Sequence, residues 1–476
     1  MIRRLFFLLL LLPLVACKKE SPTRIFSQTQ VLLEGVQGAQ TVCRVTASGS
    51  WTLTVAGKDF DVSPQSGSAG ETVLTFTTVN ENTDARRRAL GTITLRPDVA
   101  GEARCIEVLQ RPAIAPRSFF FFFIGTSLQW FFDKNLQDAL SAIDAATPGD
   151  GRVAAFRYNA ADKVWEIAEL HYDPASGSAA ITTVEQFAQI DRRDPTFITE
   201  IVGKMLSYFP AAEYGLAFGG HGSGWLPIGS VLSRMRSFSG GGHPVTRYYG
   251  EPGSLFEVEE IARSLAAAGT TFDYLCFDDC FMSNIETLYS LRKSARYIIA
   301  SPCEVMGEGF PYQYVIPAVF HASAPLFDRL QTVCERYYHY YLSEYNPNYP
   351  SGCIALTDCA QLDALAQAAQ PLFATASDAY DPAQLQHYEG LSSHIFFDFL
   401  QYAEQTATDA QALGSFREQF DFAFPPECRF HTPSFYSYYQ SPLIPVTYYS
   451  GVTCSAPATR YVAENRQTEW WQATHP

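Results

Sequence analysis

Apolar and polar positions follow two regimes along this chain, and the change falls near residue 112. Before it, short stretches alternate: residues 51–55, 73–78 and 91–95 each read as a strand with one face turned in and the other out. Turn-forming residues separate them, as in residues 63–70, where Ser, Pro and Gly crowd together. β-Rich strands this short and this closely spaced predict a small all-β sandwich of immunoglobulin-like type over residues 31–112, reached through a linker over residues 18–30.

Beyond Pro112 and Pro116 the pattern changes. Residues 119–124, five Phe and an Ile, make an unbroken apolar run that suits a strand buried on both faces of a parallel sheet. Residues 133–143 follow at helical spacing, with Leu136, Leu140 and Ile143 on one stripe. Further strands are predicted at residues 152–158, 165–172, 213–218, 272–277 and 296–301, and helices at 196–209 and 254–268. Strands alternating with helices predict an α/β domain, a mostly parallel sheet with right-handed crossovers and helices on its faces, with its core over residues 117–320. Tyrosine becomes frequent after that, as in residues 337–341; packing against the sheet explains this better than a ladder for sugar.

Composition narrows the class. With 476 residues, 47% of them hydrophobic and 17% charged, the chain has a substantial core and room for two or three domains. A net charge of −15, with no long Lys/Arg-rich run, argues against nucleic acid as a partner. The first seventeen residues read as an address. Arg3 and Arg4 precede an apolar run over residues 5–15, and small residues lead to Cys17, the layout of a secretory signal. That run is too short to span a bilayer. Its ending, Leu14-Val15-Ala16-Cys17, resembles a bacterial lipobox, which implies that Cys17 is lipidated and becomes the first mature residue. Stable anchoring takes more than one acyl chain. The expected location is therefore a bacterial membrane, taken as the outer membrane, on its periplasmic or cell-surface face. Export permits disulfides. Cys43 and Cys105, the only pair in the N-terminal region, leave open a bridge between its first and last strands, whereas Cys276 reads as buried and inert.

Candidate chemistry sits at two strand ends. The strand at 213–218 runs into Gly219-Gly220-His221-Gly222-Ser223-Gly224-Trp225, where glycines permit a tight turn that presents His221. The strand at 272–277 runs into Asp278-Asp279-Cys280, and Met282, Ile285, Glu286 and Leu288 then resume at a spacing that suits a helix starting near Ser283. Catalytic groups in open α/β sheets collect beyond the carboxyl ends of strands, so His221 and Cys280 form a candidate Cys–His dyad. A lone Cys is most often a small buried hydrophobe, and a Gly-flanked His can simply mark a turn. Their matching positions after two apolar strands favour chemistry.

The block from His221 to Trp225, followed by FDDCFMSNIETLY (residues 277–289), resembles the clostripain family of cysteine peptidases: His-Gly before a Trp, then Asp-x-Cys-x-Met with Glu286 four residues past the Met. The resemblance covers residues 119–476. It implies a caspase-like fold with a C-terminal subdomain over residues 321–476. It also implies an endopeptidase with Cys280 as nucleophile, His221 as general acid–base, and the backbone N–H groups of Gly222 and Cys280 as oxyanion donors. The family's acid two positions before the Cys implies that Asp278 binds the side chain ahead of the cut, so that Arg is preferred to Lys because a guanidinium meets a carboxylate bidentately. Asp279 is then the candidate cap of the following helix, and Glu304 a weaker candidate for a second acid. Self-cleavage between the His and the Cys is implied too. The loop at residues 226–252 is rich in Gly and carries Arg234 and Arg236, the expected cut sites.

Residues 31–112 resemble the BACON-type module of bacterial lipoproteins, which implies glycan or mucin binding; no binding residue carries over, and a spacer that lifts the enzyme off the membrane is the preferred reading. No metal and no cofactor are expected: calcium-loop spacing is absent, as is His-Glu-x-x-His. Ser223 lacks the glycines of a Gly-x-Ser-x-Gly elbow, which sets a serine hydrolase aside. Expected partners are peptides with basic residues and, through Cys17, a membrane. The alternative is a catalytically inactive surface lipoprotein that binds glycan or mucin, against which the intact His221 and Cys280 speak.

Overall fold

Strict alternation of inward and outward side chains builds the N-terminal unit, Met1–Asn82 with Arg88–Arg111. The computed structural model describes residues 30–97, 103–174, 176–228, 230, 255–438 and 440–475. Eight strands are seen here: β1 (Gln30–Leu33), β2 (Gln40–Ala47), β3 (Trp51–Gly57), β4 (Phe60–Ser63), β5 (Ser66–Gly67), β6 (Gly70–Thr78), β7 (Arg88–Pro97) and β8 (Arg104–Gln110). They form two sheets, β1-β8-β7-β3-β5 and β2-β6-β4. Val45, Trp51, Phe76, Ile93 and Val108 fill the space between them. Period-two alternation also decides the two cysteines. Cys43 faces that core, whereas Cys105, one position from the inward Ile106, is exposed, and no disulfide joins them. An inward residue of one sheet cannot meet an outward residue of the other, so the bridge left open by the sequence is not made.

The second unit comprises Thr83–Arg87 and Pro112–Pro476. Among its strands are β9 (Ser118–Phe123), β10 (Arg152–Asn159), β11 (Val164–Asp173), β12 (Ser178–Phe187), β13 (Tyr214–Gly219), β14 (Phe272–Asp278), β15 (Ala295–Ala300), β16 (Cys353–Asp358), a short β17 (Phe397–Asp398) that pairs elsewhere, and β18 (Arg429–His431). Nine of them make one sheet, in the order β12-β11-β10-β9-β13-β14-β15-β16-β18. The middle five are parallel, and both edges are antiparallel. β16 and β18 show that residues after 320 complete this sheet.

The helices α1 (Gln129–Ser141), α2 (Phe197–Tyr208), α3 (Val258–Ala267), α4 (Ile285–Leu291), α5 (Tyr312–Val319), α6 (Leu326–His339) and α7 (Leu362–Ala374) cover both faces. β9 shows why two layers are needed. Its side chains alternate, so Phe120 and Phe122 meet α2 and α3 on one face, while Phe119, Phe121 and Phe123 meet α1, α5 and α6 on the other. All five rings are buried, each stabilising by about 1.5–3 kcal/mol relative to exposure. Several tyrosines after residue 320 belong to that second layer: Tyr337 and Tyr341 are wholly buried with ring centroids 4.8 Å apart.

Candidate active site

Parallel pairing aligns Gly219 of β13 with Asp278 of β14, so the two strands end level. The residues that follow, Gly220 to Gly222 and Asp279 to Cys280, therefore face each other. The Asp279 carboxylate accepts the Gly220 N–H across the gap. A Cβ on Gly222 would stand 2.4 Å from the Cys280 carbonyl oxygen and 3.0 Å from its nitrogen, which only glycine avoids. Gly224, at φ +59°, approaches the Phe281 carbonyl in the same way. Phe281 is itself left-handed at φ 62°, a conformation costing about 1–3 kcal/mol for a bulky residue. Its N–H donates to the Cys303 carbonyl at 3.1 Å, and its ring stacks on Phe396 at 4.8 Å. These contacts hold the turn.

Cys280 is turned inward by that backbone. It has no exposed surface and packs with Trp225, Leu226, Val305, Leu391, Ile395 and Phe396. The Val305 N–H donates to its sulfur at 3.2 Å. Burial pushes the thiol well above its ordinary value; the Glu304 and Asp279 carboxylates push the same way, against the Val305 N–H. In this conformation the sulfur carries its proton.

The imidazole has other neighbours. His221 Nε2 lies 2.9 Å from Ser127 Oγ, just beyond β9, and the ring edges a cavity that it shares with Gly222, Asp279 and Met282. The structure thus joins the two loops through their backbones while sulfur and imidazole occupy different surroundings. Asp278, buried at the end of β14, accepts a hydrogen bond from Tyr312 Oη at 2.8 Å. Asp279 does not cap α4: Asn284 does, accepting the Thr287 N–H, and the helix starts at Ile285 rather than near Ser283. Asp279 spans the two loops instead. Glu304 is buried and accepts Ser437 Oγ–H at 2.7 Å and the Tyr438 N–H at 3.0 Å. Cys276 is buried, and burial pushes its thiol up, as expected of an inert core residue. Cys17, Arg234 and Arg236 lie outside the described residues. Among the described residues no group of side chains has the makings of a metal site, and no helix is long and apolar enough to cross a membrane.

Several supporting residues carry no signal of their own in the sequence. Trp225 Nε1–H donates to Ser455 Oγ at 2.8 Å. Glu286 accepts the Ser455 N–H and the Asn465 side-chain N–H, both at 2.9 Å. Two residues of the recognised motifs therefore converge on Ser455, in a stretch without periodic pattern. Glu389, also buried, accepts the N–H groups of Ile395 and Phe396 and sits 2.7 Å from His394 Nδ1. That clasp folds residues 389–396 back on themselves, so that Leu391, Ile395 and Phe396 cover Cys280.

Comparison with known proteins agrees with this fold. The profile of the clostripain family matches residues 160–422. The structure of iotapain, a secreted C11 cysteine protease from Bacteroides thetaiotaomicron, is similar at 27% identity and a TM-score of 0.66, over 76% of this chain and 100% of its own. An inactive zymogen C11 protease from Parabacteroides distasonis is 25% identical with a TM-score of 0.63, over 77% of this chain and 99% of its own. A B. thetaiotaomicron C11 protease bound to an irreversible peptide inhibitor, at 22% identity and a TM-score of 0.63 over 76% and 99%, shares the fold. No curated protein matches the chain. A family match over more than half of the residues, on a caspase-like sheet flanked by helices, places this chain in the clostripain family of cysteine peptidases.

Proposed function

We propose that the protein is an endopeptidase working through a Cys280–His221 dyad, cutting after Arg and less readily after Lys, and held as a closed precursor until it cuts its own chain. One observation carries this reading: the backbones of Gly222 and Cys280 meet at the level ends of two neighbouring parallel strands. His221 takes the thiol proton, the thiolate attacks the scissile carbonyl, and the imidazolium then protonates the leaving amine. Water later releases the acyl group. The N–H groups of Gly222 and Cys280 would receive the oxyanion, each donor being worth about 10²–10³ in rate. Asp278 would exchange the Tyr312 hydroxyl for the substrate's guanidinium. The precursor reading draws on the sealed, protonated Cys280 and on the zymogen relative; cleavage after Arg234 or Arg236 would release it. Export with a lipid at Cys17, and a sandwich that spaces the enzyme from the membrane or binds glycan, complete the proposal.

A fluorogenic peptide ending in Arg tests it, together with denaturing electrophoresis. Expected are turnover and two fragments from the wild type, and neither from Cys280→Ala. A Cys280→Ala chain that is still cut, or a wild type that ignores the peptide, refutes the reading.

A further inference from the structure

The cavity beside His221 has walls of Ile124, Phe218, Leu226, Val258, Ile261 and Met282, and Cys280 is not among the residues that line it. We infer that it is the subsite for the residue immediately after the cut, and that it accepts an apolar side chain. The inference rests on the dyad reading above and goes past it. An imidazole that protonates the leaving amine must reach that nitrogen. The nitrogen belongs to the first residue after the cut, whose side chain begins one carbon further on. That side chain falls on the imidazole's side of the cleft, and His221 is one of the residues that line this cavity. The acyl side is at the sulfur, among Val305, Leu391 and Phe396. The alternation of β14 separates the two specificities. Asp278 follows Tyr274 and Cys276 onto one face of the sheet, whereas Phe277, like Met282, belongs to the layer on the other. Basic recognition before the cut and apolar recognition after it thus use opposite faces. Asp279 is one of the lining residues, and its negative charge disfavours acidic side chains beside it.

The chain's own sequence gives the inference an edge. Arg234 is followed by Met235 and Arg236 by Ser237. An apolar subsite selects the bond after Arg234.

Internally quenched peptides, identical through Arg and followed by Met, Leu, Ser or Asp, test this with the purified chain. Met and Leu should exceed Ser about 10-fold in kcat/KM and Asp about 100-fold, the scale on which a hydrophobic pocket discriminates. Leu255 is half-buried at the cavity edge, and Leu255→Lys should shrink the Met-to-Asp ratio at least about 10-fold, compared within that variant. N-terminal sequencing of the cut chain should give Met235. Equal kcat/KM for all four peptides, or Ser237 as the sole new terminus, overturns the subsite while leaving the Arg-directed peptidase standing. Failure to hydrolyse an Arg-coumarin substrate overturns both.

Discussion

At the scale of single residues, close approach explains most of the site. Gly222→Ala would press a methyl group onto the Cys280 carbonyl, and the loops can separate more easily than either strand can move. The expected result is a folded chain whose kcat falls about 10²-fold or more, the size of one lost oxyanion donor; stopped assays beside a thermal melt distinguish this from unfolding. Asp278→Asn keeps the shape and the Tyr312 contact but removes the charge. It should lower kcat/KM for Arg peptides by about 10²-fold, as expected of a lost charge-assisted bidentate contact, with little change in Tm; unaltered Arg kinetics would assign Asp278 a structural role. His221 and Cys280 stand out as candidates in the sequence because glycine, histidine and cysteine at strand ends are unusual choices for a core. Ser127 does not, since one hydroxyl four residues past β9 resembles any turn serine. Asp279 was misread for a related reason: an Asp before a helix looks like a cap, and only the neighbouring strand shows that it bonds Gly220.

Elements answer to pattern where one face is buried, and to partners elsewhere. β9 and β14 could be read directly because strands covered on both faces are apolar throughout. β12 could not: its ten residues, largely Ala, Thr and polar side chains, lie mostly outside the core, and pairing with β11 makes them a strand. The segment at 386–398 is a second case, organised by Glu389 rather than by periodicity. Within it, His387 stands with its ring centroid 3.5 Å from that of His394, which contacts Glu389. Burial first, and the charge of His394 second, lower its pKa to about 4. The sign follows. With a folded value below the ordinary 6.5, the unfolded chain takes up this proton first, so the stabilisation is complete above pH 6.5 and drains away as pH falls toward 4. Over that window the loss from this group is up to about 3 kcal/mol at roughly 1.4 kcal/mol per pKa unit. His387→Asn should flatten the Tm profile between pH 6.5 and 4 relative to wild type; parallel profiles would show that His387 takes up its proton over the same pH range in the folded and unfolded chain.

Across the whole molecule, the turnover from period-two alternation to strands embedded between helices marked two architectures, and each unit has a hydrophobic core of its own. What could not be read was how distant stretches finish the site. The sheet needs β16 and β18 from far downstream. So do the histidine and cysteine loops, whose Trp225 and Glu286 are both tied to Ser455, 230 and 169 residues further along.

That last tie has a temporal meaning. On the ribosome, His221 and Cys280 emerge long before their anchor, and a chain stopped between Glu286 and Thr453 carries both side chains of the proposed dyad yet lacks the peg that ties both loops. A stop codon placed at residue 453 should therefore give protein without turnover of Arg peptides, with hydrolysis regained on adding back the missing residues in trans. Late arrival of Ser455 would work as a safety catch, withholding proteolysis from a nascent chain still surrounded by the machinery that is making it.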